Sequence, residues 1–409
     1  MATNLAALPG EILELVAASL DLTSLRSLRT ACKELNRKTF HYFCLSCFTM
    51  VRTDLSLKSL RKLIHISDEQ PLREYIHTLL IDIHPKDNWY QDFQTEFPWH
   101  RISMGSFEAP LPRAQILQHI LAGKLVHCRS FHIQGYTPLP DVDQPDYIAP
   151  SDIVGILLII VANASLPVQS LVVDFHCSGW EDPKQLYLPL HQRPGFTSGW
   201  AHLQELFVGI PMCPEYFEWV GNLISRAPIL RKLSLMFYYR SPFSFIESIL
   251  SGHGLKELQS FNLTNLFVTT KQILELLSCS CESLRALSLH RITIDSGDTW
   301  ENMIEGLKSH FLALNSISFF CLEERPLAQS ANIWFPALGE DHKVPRIEET
   351  ASPRWDCHLL QPEGLPIELS YEKHCDEVVV AGISYHGSNM GTFLDILVQS
   401  IERDRRHWW

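Results

Sequence analysis

The apolar positions of this chain change spacing along its length. Between residues 8 and 48 they keep helical spacing: Leu8, Ile12, Leu13, Val16 and Leu20, then Leu25, Leu28 and Cys32, then Leu35 to Phe48. Side chains three and four apart share one face of a helix, so this pattern predicts three short helices, over 8–20, 25–30 and 35–48. Pro9 suits a first helical turn, and Asp21, Thr23 and Ser24 supply cap candidates for the second helix. From residue 128 the pattern becomes aliphatic-x-x-aliphatic-x-aliphatic: Cys128/Phe131/Ile133, Val168/Leu171/Val173, Leu203/Leu206/Val208 and Leu230/Leu233/Leu235. It continues with Leu258/Phe261/Leu263, Leu284/Leu287/Leu289 and Leu314/Ile317/Phe319. The alternation at its end predicts a strand buried on one face. From residue 203 the intervals are 27, 28, 26 and 30 residues, and helical spacing fills the gaps at 216–224, 243–250, 273–277 and 303–314. Each strand–helix unit has an apolar edge that it cannot bury alone, so neighbours must stack.

The first forty residues carry Leu8-Pro9, the acidic Glu11, the aliphatic pair Ile12-Leu13, a distal Leu20, Leu25-x-x-Leu28 and Cys32-Lys33 without a gap. This run resembles an F-box, with Leu22 and Leu35 where the family often has Pro and Trp. The resemblance spans about a tenth of the chain. It implies that Leu8, Pro9, Ile12, Leu13, Val16, Leu20, Leu28 and Cys32 dock on the Skp adaptor and, through it, on a cullin. Read without the resemblance, three short helices bury too little surface to stand alone, so the unit packs on a partner or, as an ordinary N-terminal helical cap, on the rest of its own chain. The later array resembles the leucine-rich repeats that often follow an F-box, in degenerate form. Eight positions after each first aliphatic, where that family has Asn or Cys, stand Pro211, Tyr238, Leu266, Ile292 and Leu322.

The expected fold class is therefore α/β, an N-terminal three-helix F-box followed by a leucine-rich-repeat-like solenoid of alternating strands and helices. Its divisions are 1–50 (F-box), 51–127 (connecting helices and a first irregular repeat), 128–325 (solenoid) and 326–409 (acidic, Pro-rich loops and a strand–helix cap). In the second, Leu55 to Ile64 predicts a helix and Ile76/Leu79/Ile81 a strand, while Asn88 to His100 predicts an aromatic insertion loop. Proline spacing predicts further loops over 137–150 and 179–199, and irregular chain after Arg325. Val378 to Ile383 predicts a strand and Thr392 to Ile401 a closing helix. An ordinary α/β domain built of βαβ units is the competing architecture.

Composition narrows the functional classes. A net charge of −12 argues against nonspecific nucleic-acid binding, which needs a basic face. Residues 323–377 hold twelve Asp and Glu against five Lys and Arg, an imbalance read as a solvated, loop-rich surface. The eleven cysteines lack the dense arrangement of a disulfide scaffold and read as free thiols in a reducing compartment. The longest apolar run, Ile153 to Ala162, is too short for a membrane span, and Glu11 and Glu14 interrupt the N-terminal apolar run. A cytoplasmic or nuclear protein without membrane or nucleic-acid partners is the expectation.

Candidate chemistry is sparse. Cys44-x-x-Cys47, with His41 before it, has the spacing of half a zinc site, but no second pair lies at a workable distance. Gly382-Ile383-Ser384-Tyr385-His386-Gly387 has the strand-then-helix setting of a nucleophile elbow but carries His386 where the turn needs glycine. The tail with Arg403, Arg405 and Arg406 reads as a charged helix end. No catalytic residue, cofactor or metal is expected. By resemblance, the chain is a non-catalytic substrate receptor of a ubiquitin ligase. Positions between the inward leucines would face a protein substrate, with His132, Phe207, Met236, Asn262, His290 and Phe320 as candidates. A repeat scaffold outside any ligase, or an α/β enzyme, are the alternatives.

Overall fold

The computed structural model describes residues 5–83, 112–137, 150–177, 194–210, 214–250, 255–295, 297–325, 331–334, 367–374 and 377–404. These form a mixed α/β chain with mostly parallel strands, which divides into two compact units. Among the described residues, the first unit holds those up to 168 with 194–199. The second holds 169–177 and those from 200 onward.

The first unit opens with a 3-10 turn (Leu5–Ala7) and four helices, α1 (Gly10–Ala18), α2 (Leu22–Ala31), α3 (Lys33–Lys38) and α4 (Phe40–Cys47). One expected helix, over 35–48, is thus two. Thr39 interrupts it, with its buried hydroxyl donating to the Leu35 carbonyl at 2.7 Å, a local bond that competes with the helical ladder. Helix α2 starts at Leu22, because Asp21 caps it by accepting from the Ser24 N–H at 2.7 Å. There follow β1 (Met50–Thr53), α5 (Leu57–Asp68), α6 (Gln70–Arg73), β2 (Thr78–Ile83), α7 (Pro112–Gly123), β3 (Ser130–Thr137) and α8 (Pro150–Ala164). Strands β1, β2 and β3 run parallel and in register, stacking Val51–Leu79–Phe131 and Thr53–Ile81–Ile133. Helix α8 packs against α7 and β3 and is buried on nearly every side, as a helix apolar all round must be. The loop expected over 179–199 ends in a helix, α9 (Pro194–Trp200), while residues 178–193 lie outside the described set. So do the aromatic insertion at 88–100 and residues 138–149 of the other Pro-rich loop.

The second unit carries the repeats: β4 (Ser170–Cys177), β5 (Glu205–Ile210), α10 (Pro214–Ser225), β6 (Lys232–Pro242), α11 (Phe243–Leu250), β7 (Ser260–Val268), α12 (Thr270–Leu277), β8 (Ala286–Asp295), α13 (Trp300–His310) and β9 (Ser316–Phe320). Strands β4 to β9 are parallel and paired in chain order. The register aligns the sequence pattern into rows. Leu171–Leu206–Leu233–Phe261–Leu287–Ile317 form one, and Val173–Val208–Leu235–Leu263–Leu289–Phe319 the next, all buried. Helices α10 and α11 pack together, as do α12 and α13.

Each of the last three repeats turns a corner at the same place. Asn265, Arg291 and Cys321 adopt φ of 61°, 54° and 50°, each seven positions after its repeat's first aliphatic. A left-handed non-glycine residue costs roughly 1–2 kcal/mol, so its recurrence marks a demand of the coil. Past the corner the chain pairs again: Leu266, Phe267 and Val268 with Ile292, Thr293 and Ile294, and Thr293 and Ile294 with Glu323 and Glu324. The sheet therefore forks at β8. One branch runs through β9 to the antiparallel β13 (Glu377–His386) and β12 (Ile367–His374). The other runs through β10 (Glu323–Arg325) to the antiparallel β11 (Ala331–Trp334) and β14 (Glu402–Asp404). Leu266, Ile292 and Leu322 are core residues behind the corner, which explains why no Asn or Cys stands there. The asparagine sits one residue earlier, where Asn265 Nδ2 donates to the Phe237 carbonyl of the preceding repeat at 2.6 Å.

Helix α14 (Met390–Ser400) packs on α13 and on β13. The described residues of the acidic, Pro-rich stretch form β10, β11 and β12, and residues 326–330, 335–366, 375 and 376 lie outside the described set. Its first two acids are not solvated. Glu323 and Glu324 are 4% and 2% exposed and face different partners. Arg240 grips Glu323 with both guanidinium nitrogens, Thr293 donates to it at 3.3 Å, and Glu323's carbonyl takes the Trp300 indole N–H at 2.9 Å. Glu324 accepts from the backbone N–H of Trp300, the first residue of α13, at 2.8 Å and from Arg403 at 2.6 and 3.1 Å. A carboxylate at a helix N-terminus is favourably placed. Arg403 also holds Glu301 at 2.5 Å, so it is a strand residue in an ion-pair network rather than a charged helix end.

Candidate functional site

Two places in the described chain present side chains that the fold itself leaves over. The first is the N-terminal helical group. On α1, Leu13 and Ala17 turn inward and are fully buried. Ile12 and Leu15 lie on another face and are 44% and 70% exposed. Helical geometry puts Val16, half-buried, on the same side as Ile12 and Leu15, while Leu8, also half-buried, precedes the helix. Leu13, expected among the outward residues, thus belongs to the internal core that holds α1 to α3 and α4. Pro9 and Cys32 are exposed, and Leu20 and Leu28 half-buried. Leu15 lies off the apolar stripe through 12, 13, 16 and 20, so periodicity alone does not single it out. Of the ten exposed large apolar side chains among the described residues, six (Leu5, Ile12, Leu15, Leu22, Leu45 and Met50) lie in the first fifty. They are spread over the leading turn, α1, α2, α4 and β1.

Several contacts fix this group. Lys38 Nζ donates to the carbonyls of Ala6 and Leu8 at 2.9 and 2.8 Å, tying the leading turn to α3. The Arg29 guanidinium lies 3.5 Å from the Phe43 ring centroid, and His41 Nδ1 meets the Tyr75 hydroxyl at 2.9 Å. Cys44 is buried in α4 and its thiol is pushed up by that burial, against the pull of Arg29. Cys128 is pushed up to about 12 by the same cause. Thiols so shifted are poor nucleophiles and poor metal ligands at neutral pH. Among the described residues no cluster of His, Cys, Asp or Glu is arranged to hold a metal, and no helix is long and apolar enough to cross a membrane.

The second place is the strand face of the second unit, opposite the leucine rows. One row reads Val172–Phe207–Ser234–Asn262–Ser288–Ser318–Ser384 and the next Gly209–Met236–Thr264–His290–Phe320–Gly382. Five expected positions, Phe207, Met236, Asn262, His290 and Phe320, are brought together here, all half-buried. His132 lies on β3 in the first unit, half-buried. His290 Nε2 meets Ser288 Oγ at 2.9 Å and Ser318 Oγ at 3.4 Å, and its ring stands edge-on to Phe320. Ser384 Oγ donates to Ser318 Oγ at 2.9 Å. Burial, helped by the nearby Arg291, pulls the His290 pKa below its ordinary value and favours the neutral ring. Ser384 sits inside β13, two residues before the strand ends, so the strand-to-helix turn of a nucleophile elbow is not formed at it.

Sequence reasoning overlooked Tyr238 and Arg240. The register of β6 shifts between Met236 and Ser241, and the bulge that results sends side chains both ways. The Tyr238 hydroxyl crosses Gly209 to donate to Asp174 Oδ1 at 3.4 Å, while Arg240 reaches Glu323. A Cβ on Gly209 would collide with the outer end of the Tyr238 phenol, so the phenol would have to shift to admit one. Tyr239 between them is 62% exposed. No protein-family model matches this chain, and no curated protein matches it either.

Proposed function

We propose that the chain is an F-box protein whose leucine-rich-repeat-like unit captures a protein substrate for a Skp–cullin ubiquitin ligase. The observation that carries this reading is the outward apolar stripe of α1, with Ile12 and Leu15 exposed while Leu13 and Ala17 turn inward. A helix that leaves two large aliphatics in water is built for a partner. The motif Leu8-Pro9 through Cys32-Lys33 names the partner by resemblance, the Skp adaptor. The strand–corner–strand–helix coil of the second unit, with its aligned aliphatic rows, supports the repeat assignment. In this reading the chain does no chemistry of its own. It raises the effective concentration of substrate lysines beside a charged conjugating enzyme.

Immunoprecipitation of the intact chain, probed for Skp and cullin, tests the reading. Both should co-precipitate with the wild-type chain, and neither with Ile12→Asp/Leu15→Asp. If neither comes down with the wild type, the helices serve only as part of a repeat scaffold, and the ligase reading is wrong.

A further inference from the structure

The row Ser234–Asn262–Ser288–Ser318–Ser384 crosses five neighbouring strands in register, at steps of about 4.8 Å. Three of its members are satisfied internally through the Ser384–Ser318–His290–Ser288 chain. The other two are not. Ser234 Oγ and Asn262 Oδ1 are shielded from water and have no hydrogen-bond partner among the described residues. A buried polar atom left unpaired costs about 1–3 kcal/mol, and an apolar residue of similar size would remove that cost. Two adjacent positions that keep the cost mark a place where the missing partners arrive from outside.

We infer that the face built by β6 to β9 and β13 is a recognition trough for an uncharged protein segment bearing amide or hydroxyl side chains. Ser234 and Asn262 are its specificity-determining residues. The inference rests on the receptor reading only in taking this face as the one that meets the substrate. The ligand chemistry follows from the lining. An amide and a hydroxyl are satisfied by a group that both donates and accepts without charge. The positions beside them on β7, β8 and β9, Ser260, Thr264, Ala286, Ser316 and Phe320, carry no charge. Lys232, at the β6 edge, is engaged by Glu205 at 2.6 Å. Among the described residues of this face no cluster of Arg or Lys is placed to take a phosphate. Ser234 and Asn262 are half-buried as whole residues, so each keeps part of its side chain at the surface beside the unpaired atom.

The test uses the intact chain on an array of synthetic dodecapeptides in three matched series: uncharged with Asn, Gln, Ser and Thr, apolar with Ala and Leu, and phosphoserine-bearing. Thermal denaturation runs alongside. The wild type should prefer the first series. Ser234→Ala/Asn262→Leu should bind that series at least tenfold more weakly while melting at the same temperature or higher. Equal binding by the variant, preference for either other series, absence of binding to any peptide, or a lower melting temperature of the variant would each overturn the inference. Adaptor capture does not enter these readouts, so that failure leaves the ligase reading standing.

Discussion

Arg403 reaches back from the last described strand to two carboxylates, and replacing it with methionine isolates what that grip contributes. Glu324 is 3% exposed at its side chain and would stay buried with only the Trp300 N–H and the α13 N-terminus to hold its charge. Removing one partner of a buried ion pair costs about 3–5 kcal/mol. Arg403 itself is about one-third exposed, and the helix N-terminus keeps part of the stabilisation, so the lower end applies, about 3 kcal/mol. At roughly 2–4 °C per kcal/mol for a unit of this size, Tm should fall by about 6–12 °C. Circular-dichroism melts of Arg403→Met, Glu324→Gln and the double variant close a cycle that isolates the pair. The pH dependence carries a sign as well. Burial is the largest single influence on Glu301 and opposes its ionisation, but the Arg403 hydrogen bond and charge, together with hydrogen bonds from its own backbone and Thr299, outweigh it and hold the carboxyl below its ordinary value of 4.5. A lowered folded-state pKa gives stability that is present above the unfolded value and lost as pH falls through the folded one. Arg403→Met should therefore flatten the acid limb below about pH 4.5. A loss under about 0.5 kcal/mol, the size expected of a surface pair, would refute the reasoning.

Two further outcomes follow from the strand face. Gly209→Ala should destabilise the chain by about 1–3 kcal/mol by displacing the Tyr238 phenol, and the same change in a Tyr238→Ala background should be nearly neutral; equal costs in both, read by urea denaturation, would show that the phenol is not the obstacle. His290 has a folded-state pKa below its ordinary 6.5, so the unfolded chain takes up its proton first and stability falls as pH drops below about 6.5, levelling at the folded value. His290→Gln should remove that part of the pH dependence, and an unchanged profile in chemical denaturation between pH 7 and 5 would contradict the burial of the ring.

The repeat was legible because each buried strand obeys one simple rule, aliphatics at alternate positions, and β5 to β9 all lie where that rule puts them. The fork after β8 was not, because it depends on left-handed corners at Asn265, Arg291 and Cys321, and neither Arg nor Cys advertises such a conformation. Eight residues into the last three repeats stand Leu266, Ile292 and Leu322 in place of the ladder's Asn or Cys; these three are core, and Asn265 does its bonding one residue earlier. Leu13 and Leu15 show the limit of helical periodicity: spacing defines a stripe, but only the neighbouring helices decide which side of it is covered. Glu323 and Glu324 were read as solvated charge because their partners, Arg240 and Arg403, are 83 and 79 residues away in sequence. The contact of Tyr238 with Asp174 is illegible for a similar reason, since it depends on a bulge that no local pattern signals.

A calorimetric titration of purified Skp adaptor into the purified chain decides whether the helical group is a docking surface. Two exposed aliphatic anchors, each worth about 2 kcal/mol on truncation, together shift the dissociation constant by more than a hundredfold. Binding by the wild type, weakened at least a hundredfold in Ile12→Ala/Leu15→Ala with the melting of the chain unchanged, is the expected result. No binding by the wild type, or equal binding by both, would contradict the assignment of these helices to an adaptor.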